Sequence, residues 1–430
     1  MRNTAVTALL SGPAAGVMGA ARQAGRSGFD NLITLDIGGT STDVCVVTDG
    51  RPQLTQEFTI DGLPVRVPVL DINTVGAGGG SVVWTDEGGM LRVGPHSTGA
   101  DPGPACYGRG GQVPALTDAH VVCRTIRPEA FLGGRMQIDT DAARAVLADV
   151  AAPFSMSPEE LADSAIKLAN ANIVRAIQLI STERGHDPRD YALVPYGGAG
   201  PLHAAEVAED LGIETIVVPP NAGVISAYGL LASDFVQFDS MTRRAVVDEA
   251  TPDIIRDAYG EMRARAIDRA EEMELGRDVK LDFVADMRFV GQAFEVPVEI
   301  AQDALEDLSV ASLRDMFGAA HQRMYFFGAE LEKPVEVVSF RLGMTVPVRN
   351  MPVLADADDS GVEAREIDLF LGRAWRKGRL TSRAALVPGE AVPGPALLED
   401  PTSTMLVPPG WVARRDENDN VVLTRETGNA

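Results

Sequence analysis

Cysteine is scarce: Cys45, Cys106 and Cys123 are the only three in 430 residues. So few exclude a disulfide scaffold and fit a reducing cytosol. Positive charge is also short, with 38 Lys and Arg against 61 Asp and Glu, a formal net charge of −23. Nucleic-acid phosphates attract basic surface, so this balance argues against a nucleic-acid partner. No uninterrupted apolar run approaches the roughly 18 residues of a membrane span. The start imitates a signal peptide, with Arg2 followed by Ala5-Val6-Thr7-Ala8-Leu9-Leu10. Ser11-Gly12-Pro13 cuts that stretch to about six residues, short of the 7–15 a signal needs. The chain reads as cytoplasmic, with no membrane partner. Apolar residues at 45% suffice for ordinary cores, and charged residues at 23% exclude wholesale disorder. Glycine is abundant, and sixteen of the 43 glycines lie between Asp36 and Gly111.

The length predicts two or three domains, with soft joins near 242 and 348. Residues 1–242 read as α/β, a mixed sheet with crossover helices. Leu32–Ile37 and Val44–Val47 are apolar strand runs on either side of a glycine turn, which suggests a hairpin with a functional loop. Val65–Leu70 is a candidate edge strand because of Pro68. A long helix is expected from Ser157, which caps it, with Pro158 in the first turn and apolar residues from Leu161 to Ile180 at helical spacing. Leu168 is counted in that apolar stripe. Strands at 191–196 and 215–218 alternate with helices ending at Leu211 and starting near Gly223. Residues 243–347 read as α+β: a charged helix over 251–275, strands within 281–300, a helix at about 303–323 and a strand at 335–346. Residues 348–430 read as a small β-rich domain.

Asp36-Ile37-Gly38-Gly39-Thr40-Ser41-Thr42-Asp43 carries the strongest chemistry. Adjacent glycines leave backbone N–H groups uncovered for an anion, and Thr40, Ser41 and Thr42 add hydroxyls. Asp36 and Asp43 flank the turn, placed to hold Mg²⁺ through water and to orient a nucleophile near a terminal phosphate. The plain alternative is a tight hairpin turn with its hydroxyls in solvent. Gly197-Gly198-Ala199-Gly200-Pro201, between a strand and a helix, is a second candidate, where a ribose or ring can lie against bare backbone.

Other residues carry weaker readings. Gly78-Gly79-Gly80-Ser81 fits a close approach to ligand with Ser81 as donor, or a bulged turn at a sheet edge. His96, Asp101, Cys106, Asp118, His120 and Cys123 invite a metal reading but lack metal-site spacing, so core cysteines and surface histidines are the simpler account. The Gly99–Gly108 loop is a candidate substrate or subunit contact, and Cys106 a minority candidate nucleophile. Glu183, Arg184, His186, Asp187 and Arg189 either cap the long helix or contact ligand. His203, one turn into the helix after Gly200, could reach the same cleft. His321 reads as a satisfied interface residue on an amphipathic helix.

Taken together, these motifs resemble the hydantoinase A/5-oxoprolinase family, N-methylhydantoinase A-like. They are Ser11–Gly16, Asp36–Asp43, Val75–Ser81, Gly99–Gly108, Glu183–Arg189, Gly197–His203, Arg288–Gln292 and Pro408–Trp411. The resemblance covers essentially the whole chain and implies the second lobe of the sugar kinase/heat-shock chaperone/actin superfamily, an actin-like ATPase fold. It implies ATP and Mg²⁺ as cofactors. Asp36–Asp43 would be a phosphate loop, with Asp36, Asp43 and Thr40 catalytic and Asp36 also at the metal. Gly197, Gly198 and Gly200 would form the adenosine loop. The implied activity is hydrolysis of a cyclic amide after phosphorylation of its carbonyl, with a ketone carboxylase subunit or a non-catalytic remnant as the other readings. The family's first lobe, with its own Asp-x-Gly-Gly-Thr loop, is expected to be absent. That leaves an inactive chain unless a separate polypeptide supplies it, or a misplaced start or truncated gene. A hydantoinase B-type second subunit is also implied. Where Asn73 stands the family commonly has His, which places a metal there in doubt.

Overall fold

The computed structural model describes residues 11–55, 58–60, 63–65, 69–232, 234–275, 278–325, 333–348 and 362–426. The signal-like stretch before Ser11 and the Pro68 of the expected edge strand lie outside them. The chain forms two compact units, Met1–Ala232 with Pro352–Ala430, and Ser233–Met351.

The first unit grows from the expected hairpin. Strand β1 (Leu32–Ile37) is buried at every position except Asp36, which is half-buried, as a strand covered on both faces should be. Gly38–Ser41 turns it into antiparallel β2 (Thr42–Thr48), which pairs in turn with β3 (Ile72–Val75). On the other side of β1 lies parallel β4 (Ala192–Tyr196), then parallel β5 (Thr215–Val218), the two joined through helix α5 (Gly200–Leu211). The hairpin of β6 (Trp411–Arg415) and β7 (Val421–Arg425) completes this side, with β7 antiparallel to β5. The β-rich C-terminal segment thus extends a sheet begun nearly 400 residues earlier. Of its other strands, Val392–Pro393 pairs with β6 at the edge of that sheet, and the remaining four, within 365–407, make a sheet of their own. There Leu369, Leu380, Leu397 and Leu406 share a core with Val121, Leu147 and Leu161.

Residues opposed across paired strands share a face. Tyr196 and Asp36 share one, covered by α1 (Ser11–Gly25), whose Gly16 packs on the Tyr196 ring, and α6 (Ile225–Ala232) lies against α1. Val44 and Asn73 face the other way, toward α4 (Pro158–Ile180), where Asn73 Nδ2 donates to the Ala176 carbonyl at 3.0 Å. Ser157 and Glu160 form a reciprocal capping box at the start of α4. Its stripe from Leu161 through Ile173 to Ile180 is buried, while Leu168 is exposed. Two shorter helices, α2 (Leu116–Val122) and α3 (Thr140–Ala151), pack beside it.

The second unit is an antiparallel sheet of Phe235–Val246, Val335–Val346, Lys280–Phe289 and Val296–Ile300, in that order. Helices α7 (Thr251–Glu272) and α8 (Val310–Tyr325) close its core with Ile255, Tyr259, Met262 and Phe317. The helix expected from 303 starts at Val310, because Ser309 caps it, accepting from the Ser312 N–H at 3.1 Å. Asp303–Leu305 makes only a short turn of its own.

Candidate functional site

Both glycine turns lie at the carboxyl ends of parallel β1 and β4, the edge where α/β sheets leave a crevice for ligands. Asp36 stands directly opposite Asp43 across the hairpin and beside Tyr196 of β4. The two carboxylates therefore project on one face. Burial, and after it the charge of Asp43, pushes the Asp36 carboxyl up to about 6. Thr74 donates its hydroxyl to Asp43 Oδ1 at 2.5 Å.

Gly38, Gly39 and Thr40 are exposed and Ser41 is half-buried. The turn closes through Gly38 N–H to the Ser41 carbonyl at 3.1 Å. Its carbonyls point inward: Gly38 O accepts from Gly79 N at 3.0 Å and Gly39 O from Gly80 N at 2.6 Å. The N–H groups of Gly39 and Thr40 bond to nothing among the described residues, which leaves two spare donors at the turn as a small cradle. Thr42 does not join it. Its side chain is buried, and its hydroxyl donates to the Ala77 carbonyl at 2.5 Å.

The Gly78–Gly80 segment packs against the first turn. A Cβ on Gly78 would lie 2.7 Å from Ser41 N and Thr40 C, so only glycine lets the two backbones meet. Ser81 is likewise internal, accepting from Gly78 N and donating to the Gly76 carbonyl. Thr117, at the start of α2, anchors the segment, with both its N–H and its hydroxyl donating to the Gly79 carbonyl at 2.8 Å.

The second turn butts against the first strand. Gly197 has φ +77, and a Cβ there would collide with Asp36 Oδ1 and the Ile37 carbonyl. Ala199 N–H donates to the Ile37 carbonyl at 3.2 Å, and Gly197 N–H to the Ala222 carbonyl at 3.0 Å. Gly200 is buried over the Leu35 carbonyl, so it serves packing, whereas Gly198 is exposed with open space around it. Thr74, Thr117 and Ala222, which brace the two turns, escaped sequence reasoning because each belongs to a distant segment without a motif of its own.

The other candidates are drawn elsewhere. His203 is 1% exposed and turns inward to His120 and Asn170. His120 is buried too, so it is not a surface histidine. Cys106 is fully buried, and burial with the nearby Asp118 pushes its thiol far up, which removes it as a nucleophile. Asp118 accepts from the Ala105, Cys106 and Ala115 N–H groups, a structural clamp on the end of the Gly99–Gly108 loop. Arg184 pairs with Asp71, and Asp187 caps the turn at Pro188–Asp190 while pairing with Arg189. His186 meets the Tyr191 hydroxyl at 2.8 Å. His321 packs on Phe289 and Phe317. His96 and Asp101 are exposed. Among the described residues no three His, Cys, Asp or Glu side chains converge as a metal-holding group, and no helix is long and apolar enough to cross a membrane.

The hydantoinase/oxoprolinase profile matches residues 1–238, and the hydantoinase/oxoprolinase C-terminal domain profile matches residues 243–425. The caprolactamase subunit alpha of Pseudomonas jessenii is 33% identical over 436 residues, which span 99% of this chain and 62% of that protein. The 5-oxoprolinase 1 of Arabidopsis thaliana is 30% identical over 97% of this chain and 34% of its own length. A nucleotide-free structure of acetone carboxylase, from work on ATP-dependent acetone carboxylation, superposes with a TM-score of 0.80 at 26% identity. It covers 96% of this chain and 61% of the other. The chain thus spans about three fifths, or less, of the length of these relatives. The two profiles together account for nearly every described residue, and on them the chain belongs to the hydantoinase/oxoprolinase family.

Proposed function

We propose that this chain is the nucleotide-gripping part of an ATP-dependent hydrolase that opens a cyclic amide such as a hydantoin or 5-oxoproline. The observation that carries the reading is the Asp36–Asp43 pair, face to face beside an exposed turn whose Gly39 and Thr40 N–H groups bond to nothing among the described residues. The donor set fits a hydrated magnesium triphosphate: two carboxylates for the ion's water shell, and bare amides with two hydroxyls for phosphate oxygens. ATP, when bound, supplies a phosphoryl group for the ring carbonyl oxygen, which turns a sluggish amide into one that water can open.

The chain's own groups divide the work. Gly39 and Thr40 N–H, with the Thr40 and Ser41 hydroxyls, clasp phosphate oxygens. Asp36 holds the cation's water shell, and Asp43, steadied by Thr74, orients the nucleophile. Gly198 leaves room for adenosine, while Gly197 and Gly200 bring that turn against β1. The cradle is open to solvent at Gly38–Thr40, and a wet phosphate is poorly positioned and poorly stabilised. Turnover is therefore expected only where further protein closes the far side of the nucleotide, together with a partner chain of hydantoinase B type. The naming of relatives as subunits supports this. Three buried, unpaired cysteines support a cytoplasmic setting.

A second reading, a subunit of an ATP-dependent ketone carboxylase, is favoured by the acetone carboxylase superposition and uses the same cradle. Calorimetry with Mg·ATP tests what the two share. Binding by the wild type that is lost in Asp36→Ala and Gly39→Val supports it. No heat from the wild type rejects it in favour of a remnant. Assays of hydantoin opening against bicarbonate-dependent ketone consumption, with partner chains present, separate hydrolase from carboxylase.

A further inference from the structure

Two of the five histidines, His120 and His203, meet inside the first unit. His120 on α2 and His203 on α5 are 2% and 1% exposed, edge to face, with Nε2 of one 3.1 Å from Nε2 of the other. One nitrogen must carry the proton and the other the lone pair, since two of either kind repel. The neighbours decide which. Asn170 Nδ2 donates to Glu206 Oε2 at 2.6 Å, so its Oδ1, 2.6 Å from His203 Nδ1, is an acceptor. His203 therefore holds its proton on Nδ1 and offers a lone pair at Nε2. His120 donates from Nε2, and its Nδ1 accepts from the Thr125 hydroxyl at 2.8 Å, nearer than the His120 carbonyl at 3.2 Å. The result is one directed chain from Thr125 through His120, His203 and Asn170 to the Glu206 carboxylate. Burial keeps both imidazoles neutral, as the chain requires. Glu206 ends the chain: burial raises its carboxyl above the ordinary range, against the Asn170 hydrogen bond and Lys167, which hold it down, and with Asp163 and Glu209 adding to the rise.

The chain ties α2, α4 and α5 together. α5 opens at Gly200, the end of the second turn, and His203 lies one turn inside it. Thr117, three residues before His120 on α2, holds the Gly79–Gly80 segment that supports the first turn. We propose that His120 and His203 are positioning residues, whose hydrogen bond fixes α5 against α2 and so sets the Gly197–Gly200 turn in register with the Gly38–Ser41 turn. Its bearing on catalysis rests on the nucleotide reading above, but the link itself does not.

Selective ¹⁵N-histidine spectra of the full chain test the link. The expected result is His203 protonated on Nδ1 and His120 on Nε2, with neither ring titrating near the ordinary 6.5. Reversed tautomers, or a titration there, overturn it. Hydrogen exchange over 197–203 tests the positioning. His120→Leu should speed exchange about tenfold, while His120→Gln, which keeps a donor near the ε position, should stay within about twofold of wild type. Unchanged exchange in His120→Leu, or an equal loss in both variants, overturns the proposal. If His120→Leu fails to fold, the wild-type tautomers still decide. Mg·ATP affinity on the same proteins keeps the questions apart: a wild type that binds no nucleotide sinks the nucleotide reading, while exchange still judges the positioning.

Discussion

Gly197 lies against Asp36 so closely that a methyl group at 197 would overlap that carboxylate, and this contact joins the two glycine turns. Two kinds of glycine follow. Gly197, at φ +77, belongs to the fold, whereas nothing lies within 4 Å of a Cβ built on Gly39. Gly197→Ala should cost at least about 2 kcal/mol, from a left-handed backbone and a steric clash. Gly39→Val should leave the melting curve nearly unchanged and abolish Mg·ATP binding by covering the cradle. Thermal melts and calorimetry on both variants check this. Binding retained by Gly39→Val would contradict the cradle.

Asp36 makes the pH dependence testable. Its carboxyl, raised from 3.8 to about 6 by burial and then by Asp43, is more easily ionised in the unfolded chain than in the folded one. The stability it contributes is full below about 4 and is lost as pH rises through about 6, on the order of 2 kcal/mol. Asp36→Asn removes the penalty, so this variant should melt a few degrees higher than wild type at pH 8 and show no such gain at pH 4. The functional sign is opposite. A bound cation needs the ionised acid, so Mg·ATP affinity of the wild type should rise between pH 5 and 7. A stability difference independent of pH would argue against the raised carboxyl.

The local pattern made the first hairpin legible, because two apolar runs and a Gly-Gly turn leave no other short-range solution. Helix α4 was legible for the same reason, through Ser157, Pro158 and the spacing from Leu161 to Ile180. Leu168 was misplaced because a composition stripe is wider than the face that is finally covered. The docking of Val421–Arg425 on Thr215–Val218 was not legible, since an alternating segment announces a strand without naming its neighbour. At the site, the turn glycines and the paired acids stood out, but Gly78, Thr42 and His203 changed meaning. Each makes a contact with a segment distant in sequence, and such contacts leave no periodic trace.

The hydroxyls of the first loop should divide in the same way. Thr42 donates to a buried carbonyl, that of Ala77, so Thr42→Val should cost about 1–2 kcal/mol by leaving that acceptor unpaired. Ser41 is only half-buried at the cradle, so Ser41→Ala should leave stability within about 0.5 kcal/mol and weaken Mg·ATP several-fold. Denaturant melts alongside titrations check the pair. The reverse pattern would move Thr42 into the cradle.

Asp118 offers a test outside the nucleotide cradle. Its two oxygens accept from three N–H groups: Cys106 N at 2.8 Å, Ala115 N at 2.8 Å and Ala105 N at 3.2 Å. No hydroxyl or amide can replace it, because an amide has one acceptor oxygen and would aim donors at donors. Asp118→Asn should therefore cost about 3 kcal/mol, the loss of charge-assisted bonds together with stranded buried amides. The damage should be local, since these bonds fasten the far end of the Gly99–Gly108 loop. Arg109 is exposed just beyond it, so trypsin should cut there several times faster in the variant than in wild type under native conditions. Equal cleavage rates at Arg109 would mean that the loop is held by its own glycines and prolines, with Asp118 only capping α2.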